Sequence, residues 1–348
     1  MSKILIISPS GNLYGSERVL LDYLSGTQMV FDVALPKHSL LAQEAAKTLT
    51  GHRLLYFTGG DTKQFYTRLF FRLLIGKYKT VYINEAGHGK YIMLMARFFK
   101  SKHFVIHVRI AEDTATSRWR CFSAHNTRVI SISENIRKKL PCESMLLYDL
   151  YHFSKEDKPL TVSAVLPILT IGIIGRIGFS KGLIELGRVI EYLQQDNRRN
   201  FYRFKLYGEI PAALINHPVI EKLKQTGNVL FMGFEASKKN IYHNIDMVLH
   251  MSKTEPLGRI FLEAIDEGKP FIGFNSDGIA EIGRLTGLDA LLCDPVDDNF
   301  PEAFVTKLEH IRNQYGDCVA AVAEGKKKAI HVFNAALYTA QLDKVLAG

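Results

Sequence analysis

The 348-residue sequence has little cysteine, a single tryptophan and no apolar run approaching the roughly 20 residues that cross a bilayer. Cys121, Cys142, Cys293 and Cys318 are scattered, with neither a Cys-x-x-Cys pair nor histidines at zinc spacing. That excludes a zinc-ribbon or disulfide framework and predicts reduced thiols. Met1-Ser2-Lys3 leads straight into the strand-like "ILIIS", with no signal-peptide pattern, so a cytoplasmic protein is expected. Acidic residues are scarce in the first half. Residues 1–160 hold 23 Lys and Arg against 13 Asp and Glu, and residues 61–110 set ten cations against Asp61 and Glu85 alone. A basic half suits an anionic partner. No recognition helix, zinc finger or RNA-binding strand signature accompanies it, so nucleic acid is not expected.

What is present is an α/β pattern that starts twice. "KILIISP" reads as a buried strand, followed by a loop with Gly11 and Gly15 and a helix with Val19, Leu20, Tyr23 and Leu24 on one face. Strands are predicted at "FDVALP", "TVYINE", "HFVIHVR" and "RVISIS". Polar "SKEDKPLTVSAVLP", residues 154–167, reads as a linker. The pattern then restarts with "ILTIGIIGR", a loop with Gly178 and Gly182, and a helix. Further strands are predicted at "RFKLYGE", "NVLFMGF", "IDMVLHMS", "KPFIGFN" and "DALLCDP". Near-continuous apolar strands alternating with helices imply parallel sheets covered on both faces. Ligands of such sheets bind beyond the carboxyl ends of the strands, and two facing sheets would border a cleft.

Three loops carry candidate chemistry. "SGNLYGSE" precedes a helix, whose free N–H groups suit a phosphate or a sugar hydroxyl, although its glycines also suit a plain tight turn. Its spacing is not Gly-x-Gly-x-x-Gly, which argues against a dinucleotide site. "GRIGFSKG" sets Arg176 and Lys181 around a glycine loop, a pair suited to a pyrophosphate or simply a solvated turn. In "EPLGRIFLEA", Pro256, Leu257, Gly258 and Arg259 start a helix. Glu255 ahead of it and Glu263 inside it suit sugar hydroxyls and a ribose diol, or a merely solvated helix.

In order and spacing these segments resemble the family-4 retaining glycosyltransferases of the GT-B type. Glu255 and Glu263 match that family's Glu-x7-Glu motif, and "IIGRIGFSKG" resembles its phosphate loop. "GNLYGSE", "FVIHVR" and "VISISE" resemble segments of its first domain. The resemblance implies two Rossmann-like domains with parallel sheets facing across a cleft. The expected division is residues 1–153 for the acceptor, 154–167 as linker, 168–325 for the nucleotide sugar, and a C-terminal helix at 326–348 returning to the first domain. Arg176 and Lys181 would then neutralise the diphosphate, with Gly175 in their loop. Glu263 would hold the ribose, and Glu255 with Pro256, Leu257, Gly258 and Arg259 would hold the sugar and its phosphate. His107 would lie beside the sugar, and Gly15 would admit the backbone there. Tyr207, Gly208, Glu209 and Gly233 would surround the base. His107, Glu255, Arg176 and Lys181 form the expected catalytic set.

The implied donor is a UDP- or GDP-sugar, with no metal and no further cofactor, since no Asp-x-Asp run is present. A glycan or lipid-linked acceptor is the expected partner. Basic-aromatic stretches within residues 63–102 suggest peripheral contact with an anionic membrane, or two core helices with basic outer faces. A nucleotide-sugar epimerase and a non-catalytic sugar- or lipid-binding relative are the alternatives. Two positions depart from the family pattern: Asp149-Leu150 stands where Asn-Gly is usual, and Asp277-Gly278 replaces Gly-Gly.

Overall fold

A computed structural model describes residues 4–58, 62–155, 163–194, 197–294 and 299–348. The chain divides into two units, one of residues 1–152 with 333–348, the other of residues 153–332. Part of the expected linker, residues 156–162, lies outside the described residues.

The first unit holds strands β1 (Ile4–Ile7), β2 (Asp32–Pro36), β3 (Arg53–Phe57), β4 (Thr80–Ile83), β5 (His103–Val108), β6 (Thr127–Ser131) and β7 (Met145–Leu146). Helices α1 (Gly15–Gly26), α2 (Leu40–Thr48), α3 (Thr62–Leu74), α4 (Gly89–Phe98) and α5 (Glu134–Lys139) alternate with them. The sheet is parallel throughout, in the order β3-β2-β1-β4-β5-β6-β7. β1 and β4 are buried along their whole length, as strands covered on both faces must be.

The second unit holds β8 (Leu169–Ile174), β9 (Tyr202–Tyr207), β10 (Val229–Gly233), β11 (Met247–His250) and β12 (Phe271–Gly273). Its helices are α6 (Leu183–Gln194), α7 (Pro218–Gln225), α8 (Lys238–His243), α9 (Arg259–Asp266), α10 (Asp277–Thr286), α11 (Phe300–Asn313) and α12 (Tyr315–Val332). The parallel order is β10-β9-β8-β11-β12. From β8 the chain builds outward to β9 and β10, then returns to β8's other side as β11. The strand order therefore reverses between β8 and β11, where sheets of this kind leave a crevice at their carboxyl edge.

Two local expectations differ from the structure, and one strand was not predicted. "DALLCDP" is not a strand: Leu291 and Leu292 spend their amides on Leu288 and Asp289 at 3.0 and 2.9 Å, closing a tight turn. Only Cys293 remains to bridge Phe274. "RLLYF" forms β3, an edge strand whose half-exposed residues lack the continuous apolar signal of its neighbours. Residues 326–332 complete α12 in the second unit, because Ala329 is buried on the same helix as Val319 and Val322.

The return begins at Phe333, and Asn334 caps a new helix, α13 (Ala335–Ala347), by accepting from the Leu337 N–H at 2.9 Å. Tyr338, Leu342, Val345 and Leu346 of α13 join the core that α1, β1 and β2 form. Asp343 fixes its register, accepting from the Tyr23 hydroxyl at 2.6 Å and from Thr27 at 2.9 Å.

Candidate active site

The loops after β8 and β11 meet at the second unit's crevice. Gly182 ends the β8 loop in a left-handed turn, φ 78°, and a Cβ there would fall 2.0 Å from the Met251 carbonyl oxygen. Only glycine lets the two loops approach so closely. Ser252 reinforces the contact by donating to the Ser180 carbonyl at 2.9 Å. Gly208 acts similarly at the end of β9: φ is 146°, and a Cβ would lie 2.0 Å from the Gly175 carbonyl. Backbone bonds then tie the strand ends together, Gly175 N–H to Tyr207 O at 2.9 Å and Gly208 N–H to Gly233 O at 2.8 Å.

This approach brings Lys181 onto Glu255. Their ion pair is direct, and His250 Nε2 lies 3.0 Å from the same carboxylate oxygen. Glu255 and His250 have side chains only 12% and 6% exposed, whereas Lys181 is 41% exposed. The carboxylate is thus sunk beneath a cation that solvent or an anion reaches. Burial pushes the Glu255 carboxyl up, but the His250 hydrogen bond and the Lys181 charge outweigh it and hold it at about 2. The Glu255 carbonyl accepts from Gly278 N–H at 2.9 Å, which presses the start of α10 onto this loop.

The other expected residues of this unit are less tightly gathered. Glu263, in the second turn of α9, accepts from Lys238 of α8 at 2.6 Å rather than joining Glu255. Arg176 follows β8 on the exposed side of its loop. Tyr207 is buried, Glu209 exposed, and its carbonyl accepts from Ile177 N–H at 3.1 Å. Gly233 ends edge strand β10, beside exposed Leu230, Met232 and Phe234. Pro256 and Leu257 lead to Gly258, which takes φ 80° just before Arg259 opens α9. His250 and Lys238 were not singled out from the sequence. Each reaches its partner across a fold-dependent distance, and only His250's place at a strand end hinted at a role.

In the first unit Gly15 opens α1, and Glu17 accepts from the Tyr14 N–H at 3.0 Å. His107 is wholly buried in β5. Its Nδ1 lies 2.8 Å from the Tyr82 hydroxyl and 3.3 Å from Arg109 Nη2. A guanidinium only donates, so Nδ1 accepts and the ring proton sits on Nε2. Among the described residues Nε2 has no hydrogen-bond partner. Burial, then the Arg109 charge, holds His107 well below the usual histidine range, so the ring is neutral. Asp149, one of the two departures from the family pattern, is the buried counter-ion of Arg109. Asp277, the other, takes a left-handed φ of 47°, the region that a glycine occupies without strain. Among the described residues no group of three or more His, Cys, Asp or Glu is placed to hold a metal ion.

The Glu255 carboxyl titrates at about 2 in the folded chain against an ordinary 4.5. Its stabilising contribution is therefore complete above the ordinary value and is lost as pH falls toward 2. Denaturant midpoints followed downward from neutral pH should fall less steeply in Glu255→Gln than in the unaltered protein. Superimposable acid slopes would contradict the depressed pKa.

Residues 168–314 match the family model described as "Glycosyl transferases group 1". No curated protein sequence matches the chain. Among solved structures, Anabaena HepE in complex with UDP and glucose aligns with a TM-score of 0.77 at 16% identity, covering 100% of both chains. The lipopolysaccharide outer core galactosyltransferase WaaB, apo form, aligns at 0.71 and 14% identity, covering 99% of each. A glycosyltransferase from Rickettsia africae aligns at 0.73 and 13% identity, covering 99% of this chain and 98% of that one. The two Rossmann-like units, with parallel sheets of seven and five strands, have the GT-B fold, and the group 1 glycosyltransferase match falls within the second of them.

Proposed function

We propose that the chain is a retaining glycosyltransferase of the family-4 kind, moving a hexosyl group from a nucleoside diphosphate sugar to a glycan or lipid-linked acceptor in surface-glycan assembly. The observation that carries this reading is the Lys181–Glu255–His250 cluster at the point where the second unit's strand order reverses. The HepE structures hold UDP, glucose or UDP-glucose, which supports a nucleoside diphosphate sugar as donor class here.

Breaking the anomeric C–O bond places negative charge on the departing diphosphate. In this reading Lys181 exchanges its Glu255 partner for a phosphate oxygen, Arg176 supplies the second cation, and the fixed charges need little reorganisation. Glu255, ionised and hydrogen-bonded, then faces the sugar hydroxyls, while Glu263 leaves Lys238 for the ribose diol. Retention follows from attack on the leaving-group face, with a diphosphate oxygen receiving the acceptor's proton. Double displacement through Glu255 as nucleophile is the less favoured route, because this reading already commits the carboxylate to the sugar hydroxyls. Leaving-group stabilisation is assigned to side chains rather than to a metal.

A membrane-facing acceptor side draws on α3 and α4. Tyr66 stacks on Tyr91 at 4.5 Å and Phe70 meets Phe99 at 4.9 Å, so the two helices pack side by side. Phe71, Leu74 and Ile75 stay 60, 58 and 80% exposed, and Phe98 65%, among the surrounding lysines and arginines. Exposed aromatics ringed by cations suit an anionic lipid interface. No helix among the described residues is long and apolar enough to cross a membrane.

In a glycosyl-transfer assay Lys181→Ala should lower turnover by about a hundredfold or more, the scale of losing a charge-stabilising group. Glu263→Ala should chiefly weaken nucleotide binding, read by the thermal shift each nucleoside diphosphate produces. Full turnover in Lys181→Ala would remove the phosphate-loop assignment, and free epimerised nucleotide sugar as the product would favour the epimerase. The protein should sediment with anionic vesicles at low ionic strength and be released by salt, and Phe71→Ser with Phe98→Ser should reduce this. Absence of vesicle binding at low salt would end the membrane reading.

A further inference from the structure

The donor chemistry leaves unused a cavity of about 270 Å³ that lies wholly within the first unit. One wall is the sheet, with Leu5, Leu55 and Phe57. The other is a single face of α3, where Phe65, Arg68, Leu69 and Arg72 recur at helical spacing. Phe57 and Phe65 close one side with ring centroids 4.5 Å apart. Among the described lining residues the charged ones are all cations, Lys37, Arg68 and Arg72, beside neutral Thr58 and Gln64.

These cations differ in how they are held. Arg72 is half-buried and lies near Tyr78, whose hydroxyl donates to buried Asp32 at 2.7 Å, so its charge is partly balanced from below. Lys37 and Arg68 are exposed, and neither pairs with a carboxylate among the described residues. Lys37 directly follows β2, and its N–H is clamped to the Phe57 carbonyl at 2.7 Å. Two outward cations therefore flank the carboxyl edge of β2 and β3, over a cavity floored by aliphatic and aromatic groups.

We propose that this cavity binds a phosphate ester carrying an apolar chain, with Lys37 and Arg68 on the phosphate and Leu5, Leu55, Phe65 and Leu69 around the first carbons of the chain. A guanidinium beside an ammonium matches the concentrated charge of a phosphate monoester or diphosphate. The apolar floor adds burial that a free phosphate cannot use. The size is below that of a whole drug-sized ligand, which fits a head group and the start of a chain rather than a complete lipid. This deepens the proposed function by seating the anionic end of a lipid-linked acceptor. It rests on that reading for the ligand's role, while the binding itself is independent of it.

Calorimetric titration of the full chain with geranyl phosphate, inorganic phosphate and geraniol, all below micelle formation, tests the proposal. Geranyl phosphate should bind one to one, with phosphate and geraniol each about tenfold weaker or more. Lys37→Gln and Arg68→Gln, both exposed and so tolerated by the fold, should each weaken geranyl phosphate about tenfold. Equal affinity for geraniol would show that no charge is read, and equal affinity for inorganic phosphate would show that the apolar floor is idle. Unchanged affinity in both variants would place the ligand elsewhere. Each of these results overturns the proposal. Titration of UDP into the same samples reads the second unit separately. Geranyl phosphate binding without nucleotide binding would sustain the cavity assignment and count against the donor reading.

Discussion

A carboxylate sunk below the surface must be compensated, and Glu255 is compensated twice, by Lys181 from one loop and His250 from the end of a strand. The second unit's crevice is organised around that requirement. The ion pair forms only if the loop after β8 lies flat against the loop after β11, and it does so because Gly182 presents no Cβ to the Met251 carbonyl. α10 then leans on the same loop through Gly278 N–H and the Glu255 carbonyl. Backbone fit and side-chain charge thus specify one arrangement. The outcome is a part-exposed lysine held over a buried carboxylate at a sheet's carboxyl edge.

The first unit solves a related problem with a structural ion pair. Arg109 and Asp149 are both almost wholly buried, and Arg109 also reaches the Asn84 carbonyl at 2.9 Å and the Tyr338 hydroxyl at 3.4 Å. Tyr338 belongs to the returning helix α13, so the last segment of the chain completes the surroundings of the guanidinium that orients His107. Removing either charge would strand the other in the interior, which explains why Asp149 occupies this position although the family pattern differs there.

Much of this was legible in the sequence, for physical reasons particular to each element. β1, β4 and β5 announced themselves by unbroken apolar runs, because both faces of a parallel sheet are covered. Glu255 and Lys181 stood out because glycine loops before helices are where parallel sheets place their chemistry. The edge strand β3 was silent because half of its surface meets solvent, and "DALLCDP" misled because its amides are satisfied inside a turn. The bond from Lys238 to Glu263 spans 25 residues, and the returning helix meets Tyr23 from 320 residues away. No local pattern encodes contacts of that range. The carboxylate that balances Arg109 read as an anomaly because its partner lies 40 positions away and is visible only in the fold.

The central claim is that Lys181 releases Glu255 to hold a diphosphate at the β8–β11 crevice. A crystal structure of the protein with UDP bound would test it most directly. The account predicts diphosphate oxygens within about 3 Å of Lys181 Nζ, a hydrogen-bonding distance, with Arg176 turned toward them and the ribose on Glu263. UDP bound elsewhere, with Lys181 still paired to Glu255, would contradict it.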